Sequence, residues 1–217
     1  IYSTLRFVKI LLLGPTPEKL SPCIQTTGDQ IVICNEKIDR RIILNNDIDI
    51  LISYNYRFII KEEVLSSLNF FAINLHTSFL PFNRGAHPVL WSILDRTPLG
   101  ATIHQIDNGL DTGPILIQTE LDLGSVQKTL RQTYEYVNEE LLKLFSISWK
   151  NIRNGRLEGK PQIGSGTIHR SDQGNDFLST LSRSWDTTIE DARIGYVEYL
   201  NKAKSTHECD SRPKTNL

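Results

Sequence analysis

Apolar residues in the first half of the chain fall in short unbroken runs, each closed by turn-forming residues. The first, FVKILLL over residues 7–13, ends at Gly14-Pro15. Similar runs follow at 30–34 (QIVIC), 49–53 (DILIS), 70–75 (FFAINL), 101–106 (ATIHQI) and 115–119 (ILIQT). Runs with little polar alternation predict strands buried on both faces, as in a parallel sheet covered by helices. Residues 61–68 and 88–94, between these runs, have helical character. The pattern predicts an α/β fold over residues 1–155: an open, mostly parallel twisted sheet flanked by helices.

The second half reads differently. Val126, Leu130, Val137, Leu141, Leu144 and Ile152 recur at helical spacing with charges opposite, predicting one long helix over 126–153. Ser125 is its expected N-cap and Gly155 its expected stop. Beyond Gly159 the chain turns polar and turn-rich (KPQIGSGTIHRSDQGNDF), so residues 156–204 are expected to form a short C-terminal arm, extended over the domain. An amphipathic helix over 186–202 closes that arm, and residues 205–217, nearly devoid of apolar side chains, read as a flexible tail.

Composition excludes several classes. A length of 217 residues suits one domain plus an appendage. The 24 basic and 25 acidic residues leave a net charge of −1, which argues against a nucleic-acid binder. No apolar run is long enough to span a bilayer, and the opening run reads as a buried strand rather than a signal peptide. Cys23, Cys34 and Cys209 are odd in number and lack a CxxC pair. They read as free thiols in a reducing cytoplasm, without a disulfide framework or a zinc site.

Candidate chemistry gathers in INLHTSFLPFNRGAHPVLW, residues 73–91. Asn74 and His76 are two apart at the carboxyl end of a strand, so they share a face where open parallel sheets bind ligands. A carboxamide that donates to a developing oxyanion, beside an imidazole that moves protons near neutrality, suits acyl transfer. The missing charged partner is best supplied by Asp111 in the NGLDTG turn, with Asp107 and His104 nearby. Other arrangements compete. His76, His87, His104, Asp107 and Asp111 are legitimate metal ligands without HExxH-type spacing. Ser78 with His76 and Asp111 imitates a hydrolase triad without a GxSxG elbow. GPTPEK at Gly14 lacks a dinucleotide loop. Spacing alone leaves an Asn74–His76–Asp111 site level with ordinary loop hydrogen bonding.

NLHTSFLPFNRGAHP followed by GATIHQIDNGLDTGPIL resembles the folate-dependent formyltransferase family. The family pattern is matched at Asn74, His76, Ser78, Leu80, Pro81, Gly85, Thr102, His104, Asp107, Gly109, Asp111 and Gly113, and the likeness spans roughly residues 7–153. The resemblance implies a Rossmann-like fold with residues 1–155 as catalytic domain. It implies transfer of a formyl group from the co-substrate N10-formyltetrahydrofolate to an amine, with no metal. Asn74 would polarise the formyl oxygen, His76 would stabilise or protonate it, and Asp111 would hold His76 and relay the amine's proton. Tyr56, Arg57, Phe58 and Ile59 in SYNYRFII, with Ile106, Asp107, Gly109 and Leu110, would wall the folate pocket; an aromatic strand end packed on the core is the plainer reading of SYNYRFII.

The acceptor separates the branches of that family. LLLGPTPEKL lacks the glycine-rich phosphate loop of glycinamide ribonucleotide formyltransferases, and no RNA-binding domain of the methionyl-tRNA type or partner domain of the formyltetrahydrofolate hydrolases is visible. What remains resembles the sugar-nucleotide N-formyltransferases, cytoplasmic enzymes acting on nucleotide-linked amino-dideoxysugars for surface polysaccharide such as O-antigen. A dTDP-4-amino-4,6-dideoxyglucose exemplifies the acceptor, with the 3-amino isomer and the base left open. Arg84 and Trp91 are candidate nucleotide or sugar contacts, and His169 and Arg170 candidate diphosphate contacts; for each, a surface charge or a packed aromatic is an equal alternative. The resemblance further implies a homodimer binding small molecules, without nucleic acid or membrane partners. A non-catalytic folate or sugar-nucleotide binding module is the remaining alternative.

Overall fold

The computed structural model describes residues 7–124 and 128–210, the side chains of 204–210 excepted. In chain order the elements are β1 (Lys9–Leu13), α1 (Ser21–Gln25), β2 (Gln30–Cys34), α2 (Arg40–Asn46), β3 (Ile50–Tyr54), α3 (Glu62–Leu65), β4 (Phe71–His76) and β5 (Arg84–Gly85). There follow α4 (Pro88–Leu94), β6 (Gly100–Gln105), β7 (Ile115–Glu120), α5 (Leu130–Arg153), β8 (Ile168–His169), α6 (Ser171–Thr180) and α7 (Ile189–Asp210).

Six strands form one sheet in the order β2-β1-β3-β4-β6-β7. The first four are parallel; β6 and β7 are added antiparallel. Alternate side chains of β1 explain why its run is apolar throughout. Ile10 and Leu12 pack with Ile52, Ile73, Phe145 and Trp149 on one face, whereas Leu11 and Leu13 pack with Ile43, Val64 and Ala72 on the other. The six runs read from the sequence are these six strands, displaced at their ends by one or two residues. The helix expected over 61–68 is reduced to the single turn of α3.

α5 buries the stripe Leu130, Val137, Leu141, Leu144 and Ile152 against the sheet and α4. Its cap is Thr129, not Ser125. Thr129 Oγ1 accepts from Gln132 N at 3.2 Å while Gln132 Oε1 accepts from Thr129 N at 3.1 Å, a reciprocal box that fixes the start at Leu130. Ser125 and Val126 lie outside the described residues. At the other end the buried Arg153 meets Asp29 through two bonds of 2.6 Å.

The arm is more structured than its composition suggests. Residues 171–180, expected to be extended, form α6, because Phe177 and Leu178 reach a second core shared by α4, α5 and α7. The last helix continues to Asp210, into the segment expected to be a tail, and residues 211–217 lie outside the described residues. β8 pairs in parallel with β5, Arg84 opposite Ile168 and Gly85 opposite His169. No helix among the described residues is long and apolar enough to cross a membrane.

Candidate active site

Asn74 and His76 end β4 with their side chains on one face, and antiparallel pairing sets His104 of β6 opposite Asn74. Asp111 arrives from the β6–β7 turn in the left-handed region, φ 52°. A side chain at Gly113 would lie 1.8 Å from the Gln105 carbonyl oxygen, so this turn closes so tightly only because glycine stands there. Asp111 Oδ1 accepts from Asn74 Nδ2 at 3.1 Å, and Oδ2 lies 3.6 Å from His76 Nδ1. His104 Nε2 stands 3.5 Å from Oδ1. The carboxamide, imidazole and carboxylate therefore converge.

Several groups absent from the sequence expectation hold them. His76 Nε2 donates to the carbonyl of Asn83 at 3.0 Å, which leaves Nδ1 facing Asp111. Asn83 is itself buried at φ 57° and tied by its side chain to Ser92, Thr97 and Thr167. Gly85 N donates to Asp111 Oδ2 at 2.8 Å. From the arm, Gln162 Nε2 donates to the carbonyls of Asp111 and Gly113 at 2.8 and 2.9 Å, while its Oε1 accepts from Arg84 Nε and Nη2 at 3.1 and 2.7 Å. The Asn-Arg-Gly turn carried the signal for Asn83, since asparagine tolerates positive φ; nothing local marked Gln162.

Burial pushes His76 below the ordinary imidazole range, with the Asp111 carboxylate pulling it partly back. Burial also opposes ionisation of Asp111, but His76, His104 and the Gly85 N–H outweigh it and hold the carboxyl well below the usual range. At neutral pH the pair is thus an ionised carboxylate beside a neutral imidazole. Ser78 takes no part, because its hydroxyl donates to the Phe82 carbonyl at 2.7 Å.

The three groups open into a cleft of about 1240 Å³. Tyr56, Arg57, Phe58 and Ile59 line it, as do Ile106, Asp107, Gly109 and Leu110. His169 and Arg170 reach the same cleft. Arg170 is exposed and pairs with Asp172 at 2.5 Å, and His169 Nε2 lies 3.1 Å from Asp95 Oδ2. Arg84 and Trp91 do not line the cleft. Arg84 is engaged by Gln162, and Trp91, only 4% exposed, stacks on His169 at 4.1 Å between ring centres.

A model of the formyl transferase family matches residues 24–146. The chain belongs to that family. The formyltransferase PseJ from Anoxybacillus kamchatkensis, solved in complex with UDP-4,6-dideoxy-4-formamido-L-AltNAc and tetrahydrofolate, is 41% identical and superposes with a TM-score of 0.79 over 86% of this chain and 98% of that one. A 4-N formyltransferase from Francisella tularensis shares the fold at 22% identity, with a TM-score of 0.68 over 79% of each chain. The methionyl-tRNA formyltransferase of Thermodesulfovibrio yellowstonii is 36% identical over 124 residues. That match covers 56% of this chain but only 39% of the relative, so the chain spans about two-fifths of that curated protein.

Proposed function

We propose that this formyl transferase family member moves a formyl group from N10-formyltetrahydrofolate to the amine of a nucleotide-linked amino-dideoxysugar, for surface polysaccharide. The observation that carries the reading is the convergence of Asn74, His76 and Asp111 at a cleft large enough for two ligands. The 41% identity to PseJ over nearly that protein's whole length supports a sugar-nucleotide acceptor, and favours a UDP-linked 4-amino sugar over the thymidine-linked example.

In this reading Tyr56 to Ile59 and Ile106 to Leu110 hold the folate. The neutral acceptor amine attacks the formyl carbon, Asn74 Nδ2 donates to the oxygen that becomes anionic, and the new C–N bond forms. The amine's proton passes to the His76–Asp111 pair and returns to N10 as the old C–N bond breaks. Formyl and proton exchange partners, so charge and atoms balance.

The test offers N10-formyltetrahydrofolate with a UDP-4-amino sugar, its dTDP counterpart, methionyl-tRNA or no acceptor, and products are read by mass spectrometry. Formylated sugar nucleotide is expected. Formylated methionyl-tRNA alone, which the curated relatives favour, or formate release alone overturns the reading.

A further inference from the structure

Besides the residues of the proposed folate wall, the cleft carries aromatic rings that the transfer chemistry does not use. Tyr134, in the first turns of α5, and Trp185, between α6 and α7, both line it, with ring centres 5.7 Å apart and planes tilted by 58°. At that tilt neither ring covers the other's face, so a flat ligand can lie on one and meet the edge of the other. Tyr134 is 37% exposed and Trp185 half-buried, unlike the aromatics of the core.

An exposed ion pair bridges the elements that carry them. Arg131, one turn before Tyr134, grips Asp186, the residue after Trp185, at 2.7 Å. On the other side, the His87 ring lies 6.1 Å from Trp185 and its Nε2 is 3.0 Å from Asn175 Oδ1. His87 is two residues beyond Gly85, whose N–H holds Asp111, so this lobe continues from the catalytic end. A cleft of about 1240 Å³ also exceeds the usual span for one small ligand, roughly 300–1,000 Å³.

We infer that Trp185 and Tyr134 form a nucleobase-stacking subsite that holds the nucleoside end of the acceptor. This deepens the sugar-nucleotide reading and rests on it. A flat π-face accepts any base, so the subsite contributes affinity for a nucleoside diphosphate while choosing weakly among bases.

The protein carries its own probe. Of its three tryptophans, Trp91 and Trp149 are buried, at 4% and 1% exposure, and only Trp185 meets the cleft. Titration of the full chain with UDP is expected to change tryptophan emission saturably, dTDP to do nearly the same, and pyrophosphate to leave it unchanged. Trp185→Phe should abolish the signal. Trp185→Ala and, independently, Tyr134→Ala should raise the acceptor KM between about fivefold and 150-fold, with kcat falling less and with the folate KM close to wild type. A wild-type enzyme that formylates the sugar nucleotide yet ignores UDP in emission, or a Trp185→Ala enzyme with unchanged acceptor KM, overturns the subsite and leaves the reaction standing. A protein that neither binds UDP nor formylates a sugar nucleotide overturns both.

Discussion

Gln162 sits in the arm, far in sequence from Asp111, yet its amide joins the Asp111 turn to β5. Gln162→Ala removes two neutral donors, to the Asp111 and Gly113 carbonyls at 2.8 and 2.9 Å. At about 1 kcal/mol net each, with up to about 1 kcal/mol more for the Oε1 that accepts from Arg84, stability should fall by about 2 to 3 kcal/mol, read as a lower urea midpoint with unchanged slope. The kinetic cost should be larger in proportion. Freed from the clasp, Asp111 can drift by about an ångström from His76, and a misplacement of that size costs about 10²-fold in rate. Gln162→Glu separates the two halves of the clasp. A carboxylate still accepts from Arg84, which returns up to about 1 kcal/mol, but donates nothing to the catalytic turn. Steady-state kinetics should therefore show kcat at least as low in Gln162→Glu as in Gln162→Ala, because a carboxylate oxygen would face the Asp111 and Gly113 carbonyls without a proton to donate. A Glu variant with wild-type kcat would falsify the claim that these donors position Asp111.

Alanine at Asn74 should cost about 10² to 10³ in kcat, and alanine at His76 or Asp111 should also lose orders of magnitude, with circular dichroism unchanged. If any of the three keeps near-wild-type turnover, its assigned role is wrong. Gly85→Ala should be among the most damaging small changes: φ is +88°, and the new Cβ would stand 2.3 Å from the His169 carbonyl oxygen on β8. A loss of more than about 1 kcal/mol is expected together with a fall in kcat, and an unaffected urea midpoint would contradict the strain argument. The pH dependence of stability has a fixed sign. His76 is depressed on folding, so its contribution is complete above its unfolded value near 6.5 and is lost as pH falls through the folded value. Asp111, also depressed, adds a second loss below about 3.9. Urea midpoints against pH should show a smaller first limb in His76→Asn than in wild type, the remainder coming from His169, which burial also depresses; an identical limb in both assigns it elsewhere.

The sheet was legible because its strands are apolar runs, buried at the centre in β1 and β3 and part-buried at the edges in β2 and β7, and the run through Asn74 to His76 announces where its carboxyl end opens. The convergence of Asn74, His76 and Asp111 was legible because strand periodicity puts two members on one face and a glycine-flanked turn carries the third. What was not legible depends on contacts between distant segments. α6 contains polar residues and a glycine, and only Phe177 and Leu178, meeting α4 and α7, make it a helix of this fold. Arg84 has the chemistry of a phosphate ligand, but Gln162, 78 residues away, takes its guanidinium. Trp91, one turn into α4, is claimed by His169 and the second core.

The protonation state of the centre connects this architecture to the proposed transfer. His76 Nε2–H is committed to Asn83, so the nitrogen turned to Asp111 carries a lone pair, and the pair is free to take up a proton. Its negative charge is kept by the N–H groups of Gly85 and Asn74. An amine that attacks while neutral becomes cationic as the bond forms. In a site screened as a partly buried one is, a fixed carboxylate about 4 Å away stabilises that charge by about 4 kcal/mol, an upper figure before desolvation is counted. The proton then has a place to rest between Nδ1 and the carboxylate until N10 takes it. A solvated histidine could accept the same proton, but it would be protonated already in a larger share of molecules near neutrality. Burial of His76 lowers its affinity for protons at rest, and Asp111 raises it at the step where a proton is released. The arm, through β8 and Gln162, keeps those two opposing effects at the one spacing where both operate.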